Sequence, residues 1–156
     1  MSKLTHIDEH GAARMVDVSA KPVTTRRAVA EGRIVLSPAA IAAVRTGSGP
    51  KGDVLATARI AGIMAAKRTA DLIPLCHPLP LASATIDFTI SDEVIIVTAE
   101  TITAAQTGVE MEAMTAVSIA LLTIYDMIKA VDRSSTIHSV RLIRKEGGKS
   151  GTWQAD

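Results

Sequence analysis

Residues 107–129, TGVEMEAMTAVSIALLTIYDMIK, decide how this chain can fold. At about 100° per residue they read as one helix, apolar almost all the way round. Its polar groups are Glu110, Glu112, Thr115, Ser118, Thr123, Asp126 and Lys129. All of these except Glu110 share one sector roughly 140° wide, and Val, Ile, Leu, Met and Ala fill the remainder. Such a helix is buried on most sides and keeps one polar stripe, where chemistry is expected.

The flanking segments fix the class. Upstream, SATIDFTI (83–90) and VIIVTAETIT (94–103) alternate as two strands of a hairpin turning at Ser91-Asp92-Glu93. Downstream, HSVRLIRKE (138–146) alternates as a last strand. Nearer the start, MVDVS (15–19) reads as a short strand. TTRRAVAEGRIVL (24–36) reads as strand, bend, strand with its break at Glu31-Gly32. Ser37-Pro38 opens a short helix that ends at Gly47, and a second helix over 53–70 starts at a capping Asp53. From residue 24 the order is β, α, α, β, β, α, β. That is the split βαβ pattern of a ferredoxin-like α+β sandwich, an antiparallel sheet covered by helices, with one extra N-terminal helix. Residues 1–156 form a single domain without internal repeats, and 1–14 and 147–156 are expected to be mobile.

Composition excludes several functions. The chain is 47% apolar but only 2% aromatic, so its core is aliphatic. Seventeen basic and sixteen acidic residues leave a net charge of +1, and Phe88, Tyr125 and Trp153 are the only aromatics. There is neither a global positive field nor a stacking platform, so no nucleic-acid partner is expected. Cys76 stands alone, which rules out an intrachain disulfide and suits a reducing cytoplasm. MSKLTHIDEHG lacks the apolar run of a signal peptide, and the apolar window 113–125 is short for a bilayer, so no membrane association is expected. So apolar a chain of this size is expected to hide some surface by self-association.

Four motifs invite chemistry. Lys51 lies in GSGPKGD (47–53), a glycine-rich loop before a helix N-terminus. That setting suits phosphate, although a solvated loop lysine would read the same way, and Walker A spacing is absent. GGKSG (147–151) fails as a P-loop because Ile143 occupies the first glycine position; a tail closing over an anion, or a frayed end, remains. Cys76-His77, between prolines, admits a nucleophile with its base, a ligand pair or simple packing. On an extended segment the two side chains point opposite ways, and no second cysteine completes a metal site. Asp126 and Lys129, three apart on the helix, can form a pair whose pKa values are mutually perturbed. Glu112 lies fourteen residues earlier, about 21 Å along the axis, so one small ligand cannot touch both ends of one helix. A site shared between subunits resolves that conflict.

KGDVLATARIAGIMAAKRTADLIPLCHPLPL (51–81), TGVEMEAMTA (107–116), LTIYDMIKAVD (122–132) and the closing GGKSG resemble the cyclic pyranopterin monophosphate synthases of molybdenum cofactor biosynthesis. MVDVSAK (15–21) and the Arg26-Arg27 strand extend the resemblance over essentially the whole chain. It implies a lyase that converts 3′,8-cyclo-7,8-dihydro-GTP into cyclic pyranopterin monophosphate and releases pyrophosphate. It also implies a ferredoxin-like fold, a homohexamer built as a trimer of dimers with sites between subunits, and no metal or organic cofactor. Carried over residue by residue, Leu75, Cys76, His77, Met111 and Glu112 hold substrate, and Asp126 is the active-site acid. Lys51, Lys129 and Lys145 line the pocket, with Arg26, Glu110 and Lys149 near it. Asp126, Lys51 and Lys129 are the expected catalytic group. The rival reading is a non-catalytic ferredoxin-like module that binds an anionic metabolite.

Overall fold

The computed structural model describes residues 5–156. In chain order the elements are β1 (Thr24–Val35), α1 (Pro38–Thr46), α2 (Val54–Ala66), α3 (Thr69–Leu72), β2 (Leu81–Ile90), β3 (Val94–Ala105), α4 (Glu110–Ile128), β4 (Thr136–Glu146) and β5 (Trp153–Gln154). The strands form one antiparallel sheet in the order β2-β3-β1-β4-β5. α4 packs across β1, β3 and β4, with α2 beside it over β2, which gives an α+β fold.

The period-2 pattern of β3 explains the layer beneath α4. Ile95, Val97, Ala99, Thr101 and Thr103 all point inward and are fully buried. α4 answers with Ala113, Ala116, Val117, Ala120, Leu121, Ile124 and Ile128, each buried. By length and composition α4 could cross a membrane, but here its apolar surface forms the core between sheet and α2. α2 approaches closely because it carries Gly62, where a Cβ would overlap Ile86 and stand 2.9 Å from the Ala116 carbonyl oxygen.

Several expectations need correction. β1 is not broken at Glu31-Gly32: it runs unbroken against β3, and the irregularity is a bulge in its pairing with β4. Gly32 is there for space, since a Cβ would lie 2.8 Å from both Leu121 and Val117. Residues 15–19 form no strand; they run extended without a ladder into a turn. The helix expected over 53–70 ends at Ala66, with α3 following as a separate short turn. The C-terminal segment adds β5, which pairs with Arg144 and Lys145 of β4. Among the N-terminal residues, 6–14 close into a small turn in which the Asp8 carboxylate accepts the His10 and Ala12 N–H groups.

Candidate active site at the two ends of one helix

Two buried threonines on β3 place the first half of the site. Thr101 Oγ1 donates to the Val109 carbonyl (3.0 Å) and fixes the start of α4. Thr103 Oγ1 donates to the Pro80 carbonyl (2.7 Å) and fixes the end of the proline-stiffened connection. Met111 and Glu112 are thereby brought against Leu75, Cys76 and His77 around a cavity of about 340 Å³. Cys76 and His77 both line this cavity, just after a turn closed by the Cys76 N–H on the Ile73 carbonyl (3.1 Å).

The cavity's electrostatics are those of an underpaired site. Glu112 is only 4% exposed, and no described side chain forms an ion pair with it. Burial pushes its carboxyl above the ordinary range, with the Glu110 charge adding to the shift against the pull of the backbone N–H. Burial, and then the Glu112 charge, also push the Cys76 thiol up, which keeps it protonated and weakens the nucleophile reading. His77 Nε2 lies 2.7 Å from the Val16 carbonyl, an acceptor only, so Nε2 carries the proton and the ring secures the 15–18 wall.

A second, larger cleft of about 1050 Å³ adjoins this cavity and shares Lys21, Thr107, Gly108 and Glu110 with it. Arg26, Lys145 and Lys149 also line it, so among the described residues four cations meet one carboxylate. Glu110 is held by Lys145 at 2.8 Å. The Arg26 guanidinium donates to the Ala105 and Gln106 carbonyls at 3.3 and 3.4 Å. Gly147 and Gly148 have φ of 97° and 73°, and a Cβ at Gly148 would overlap that guanidinium. Only glycine lets the segment carrying Lys149 run directly over Arg26.

The other end of α4 differs. The Asp126 carboxylate accepts from Lys51 Nζ at 2.6 Å and from Lys129 Nζ at 2.7 Å, and all three side chains are about half exposed. Lys51 arrives on the loop between α1 and α2, where Gly52 (φ 89°) turns the chain and the Asp53 carboxylate caps α2 through the Ala56 N–H. Hydrogen bonds from Lys129 and Lys51 hold the Asp126 carboxyl down at about 2. It is therefore ionised throughout the neutral range and orients two ammonium groups. None of the three residues lines either cleft.

The middle of the polar stripe carries no chemistry. Ser118 and Thr123 donate back to the Met114 and Ile119 carbonyls at 2.8 and 2.7 Å, and Thr115 is buried. Among the described residues no cluster of three His, Cys, Asp or Glu side chains gathers as a metal site would need. Sequence reasoning did not single out Lys21, Gln106 or Thr107 as site residues, although all three line the clefts.

Comparison with known proteins decides the family. The model of the MoaC family matches residues 15–148. The chain belongs to that family. The matched span contains every expected site residue except Lys149, one position beyond its end. Its MoaC-family relatives include the cyclic pyranopterin monophosphate synthase of Thermomicrobium roseum, 58% identical over 158 residues, covering 100% of this chain and 95% of that protein. The synthase of the same name from Novosphingobium aromaticivorans is 57% identical over 155 residues, covering 99% of both chains. That of Streptomyces coelicolor is 58% identical, covering 97% of this chain and 89% of the relative.

Proposed function

We propose that this chain catalyses the formation of cyclic pyranopterin monophosphate from 3′,8-cyclo-7,8-dihydro-GTP with release of pyrophosphate. This makes it a lyase of molybdenum cofactor biosynthesis. The observation that carries the reading is the end-to-end identity of 57–58% with synthases of that name. The geometry offers the parts this reaction needs. The cavity of Leu75, Cys76, His77, Met111 and Glu112 suits the ring system, and the cleft of Arg26, Lys145 and Lys149 suits a triphosphate. As a sugar oxygen attacks the α-phosphorus, negative charge grows on the departing pyrophosphate, and fixed cations stabilise it there. Lys51 and Lys129, held on one carboxylate, are the groups we assign to proton delivery during ring opening and closure. Asp126 acts by holding them, since a carboxyl at about 2 is a poor proton donor at neutral pH.

The working unit in this reading is a homohexamer, a trimer of dimers, in which Asp126, Lys51 and Lys129 of one subunit complete the cavity of another. Their distance from the cavity along α4 and the exposure of Ile60, Met64 and Leu122 on α2 and α4 support that assembly. The fold is read as ferredoxin-like, supported by the order β2-β3-β1-β4 with helices before β2 and after β3; α1 is the additional helix. We place the protein in the cytoplasm, in keeping with its free Cys76. A module that only bound an anionic metabolite would make phosphate contacts but have no need of Asp126. Incubation of the purified protein with the cyclic GTP derivative should release pyrophosphate stoichiometrically with pterin. Binding without release would refute the proposal.

A further inference from the structure

Among the described residues, Lys21 is the one cation that lines both the ring cavity and the phosphate cleft. The ion pairs of the described residues do not include it, whereas Lys145 is already engaged by Glu110. Its backbone belongs to a segment that no strand ladder holds. What shapes that segment is a turn closed by the Lys21 N–H on the Val18 carbonyl (2.9 Å), with the Asp17 carboxylate on the Ser19 N–H (2.8 Å). Pro22 follows and fixes its own φ. A turn of this kind sets its internal shape but not its place on the protein. Its place is set from β3's end, where Gln106 Nε2 donates to the Ser19 carbonyl at 3.1 Å across 87 residues of sequence. The Gln106 backbone carbonyl meanwhile accepts from Arg26, so one residue anchors cations on two walls of the cleft through different atoms.

We infer that Gln106 is a positioning residue that fixes Lys21 at the junction of the two clefts, where the Lys21 ammonium contacts the α-phosphate of the substrate. The inference rests on the reading of the clefts given above and deepens it. Where ring and triphosphate lie in adjoining cavities, the group at their junction is the phosphate nearest the sugar. The pyrophosphate that leaves extends away from Lys21, toward Lys145 and Lys149. Lys21 therefore bears on the substrate and the cyclic product, and little on pyrophosphate.

Steady-state kinetics and calorimetric titration with inorganic pyrophosphate on the full chain test this. Lys21→Met should raise KM about tenfold, the scale of one charge-assisted phosphate contact. It should leave pyrophosphate affinity within about twofold, and Lys21→Arg should restore most of the loss. Gln106→Met keeps side-chain length and the Arg26 contact but removes the donor; it should raise KM about threefold. Added to Lys21→Met it should cause no further loss, because it acts through Lys21. An unchanged KM in Lys21→Met overturns the inference, as does a pyrophosphate affinity weakened as much as in Lys145→Met. Fully multiplicative losses in the double variant also overturn it. If the unsubstituted protein does not turn over the cyclic GTP derivative, the functional reading fails. Normal turnover with an indifferent Lys21 fails this inference alone.

Discussion

The two ends of α4 carry charge in opposite ways. At the N-terminal end Glu112 is buried, lies in a cavity wall and has no cationic partner among the described residues, and its carboxyl is pushed up. At the C-terminal end Asp126 is half exposed and doubly paired, and its carboxyl is pulled down to about 2. The first end is a formed pocket with a buried carboxylate in its wall. The second is a satisfied cluster without a pocket of its own. The two deficits are complementary, which suits the proposed site shared between subunits. The helix supplies rigidity to both ends and chemistry to neither middle turn.

The largest effect is expected from dismantling the satisfied end. Lys129→Ala or Lys51→Ala should lower the rate of pyrophosphate release by about 10²–10⁴-fold, the range for losing a positioned acid or base. Far-UV circular dichroism should stay unchanged, since the three side chains are half exposed. A near-normal rate would remove these lysines from the chemistry.

Mixing the ends tests whether they meet across subunits. Glu112→Ala and Asp126→Ala proteins, each inactive, should recover about a quarter of normal activity after co-refolding. Half of randomly formed dimers are mixed, and one of the two sites in each is then intact. Activity that stays absent in verified mixed oligomers would mean that each site lies within one chain.

A smaller effect separates holding the helix from using it. Just past α4, Asp132 accepts from the Ser37 N–H (2.7 Å) and from the Ser134 N–H and hydroxyl (2.9 and 2.6 Å), which ties the helix end to the start of α1. Asp132→Ala should cost about 2 kcal/mol, or roughly 4–8 °C in Tm, with kcat per folded molecule unchanged. The Asp132 carboxyl is held down to about 2 by the Ser134 and Ser37 donors. Since the folded value lies below the ordinary one of ~3.9, its contribution is complete above about pH 4 and disappears as pH falls through about 2. Acid unfolding of Asp132→Ala should show a correspondingly shallower dependence in that window.

The smallest effect has the opposite sign. Burial raises the Glu112 carboxyl, so above its unfolded value the ionised form costs folding stability, a cost that disappears on protonation. Glu112→Gln should raise Tm by about 2 °C while impairing substrate turnover, a trade between stability and function. A fall in Tm would mean that the charge has a structural partner after all.

Much of this was legible in the chain. Periodicity determined the hairpin, β4 and the apolar α4, because burial on one face or most faces leaves a repeat of 2 or 3.6 in the residues themselves. Cap chemistry determined where α1 and α2 begin, since Ser37 and Asp53 act on N–H groups three residues away. Asp126 and Lys129 were readable as a pair because three residues along a helix are neighbours in space. The resemblance grouped Lys51 with that pair, and the tertiary structure brings it into direct contact from 75 residues away. The tertiary structure also decided that Cys76 and His77 both line one cavity with Met111 and Glu112. Residues 15–19 alternate like a strand yet form none, because side chains of distant residues, His77 and Gln106, hold the segment from 15 to 19 in place of a ladder. Local patterns record which face of an element is buried. They carry no record of which distant backbone a single side chain will reach, and the site depends on those reaches.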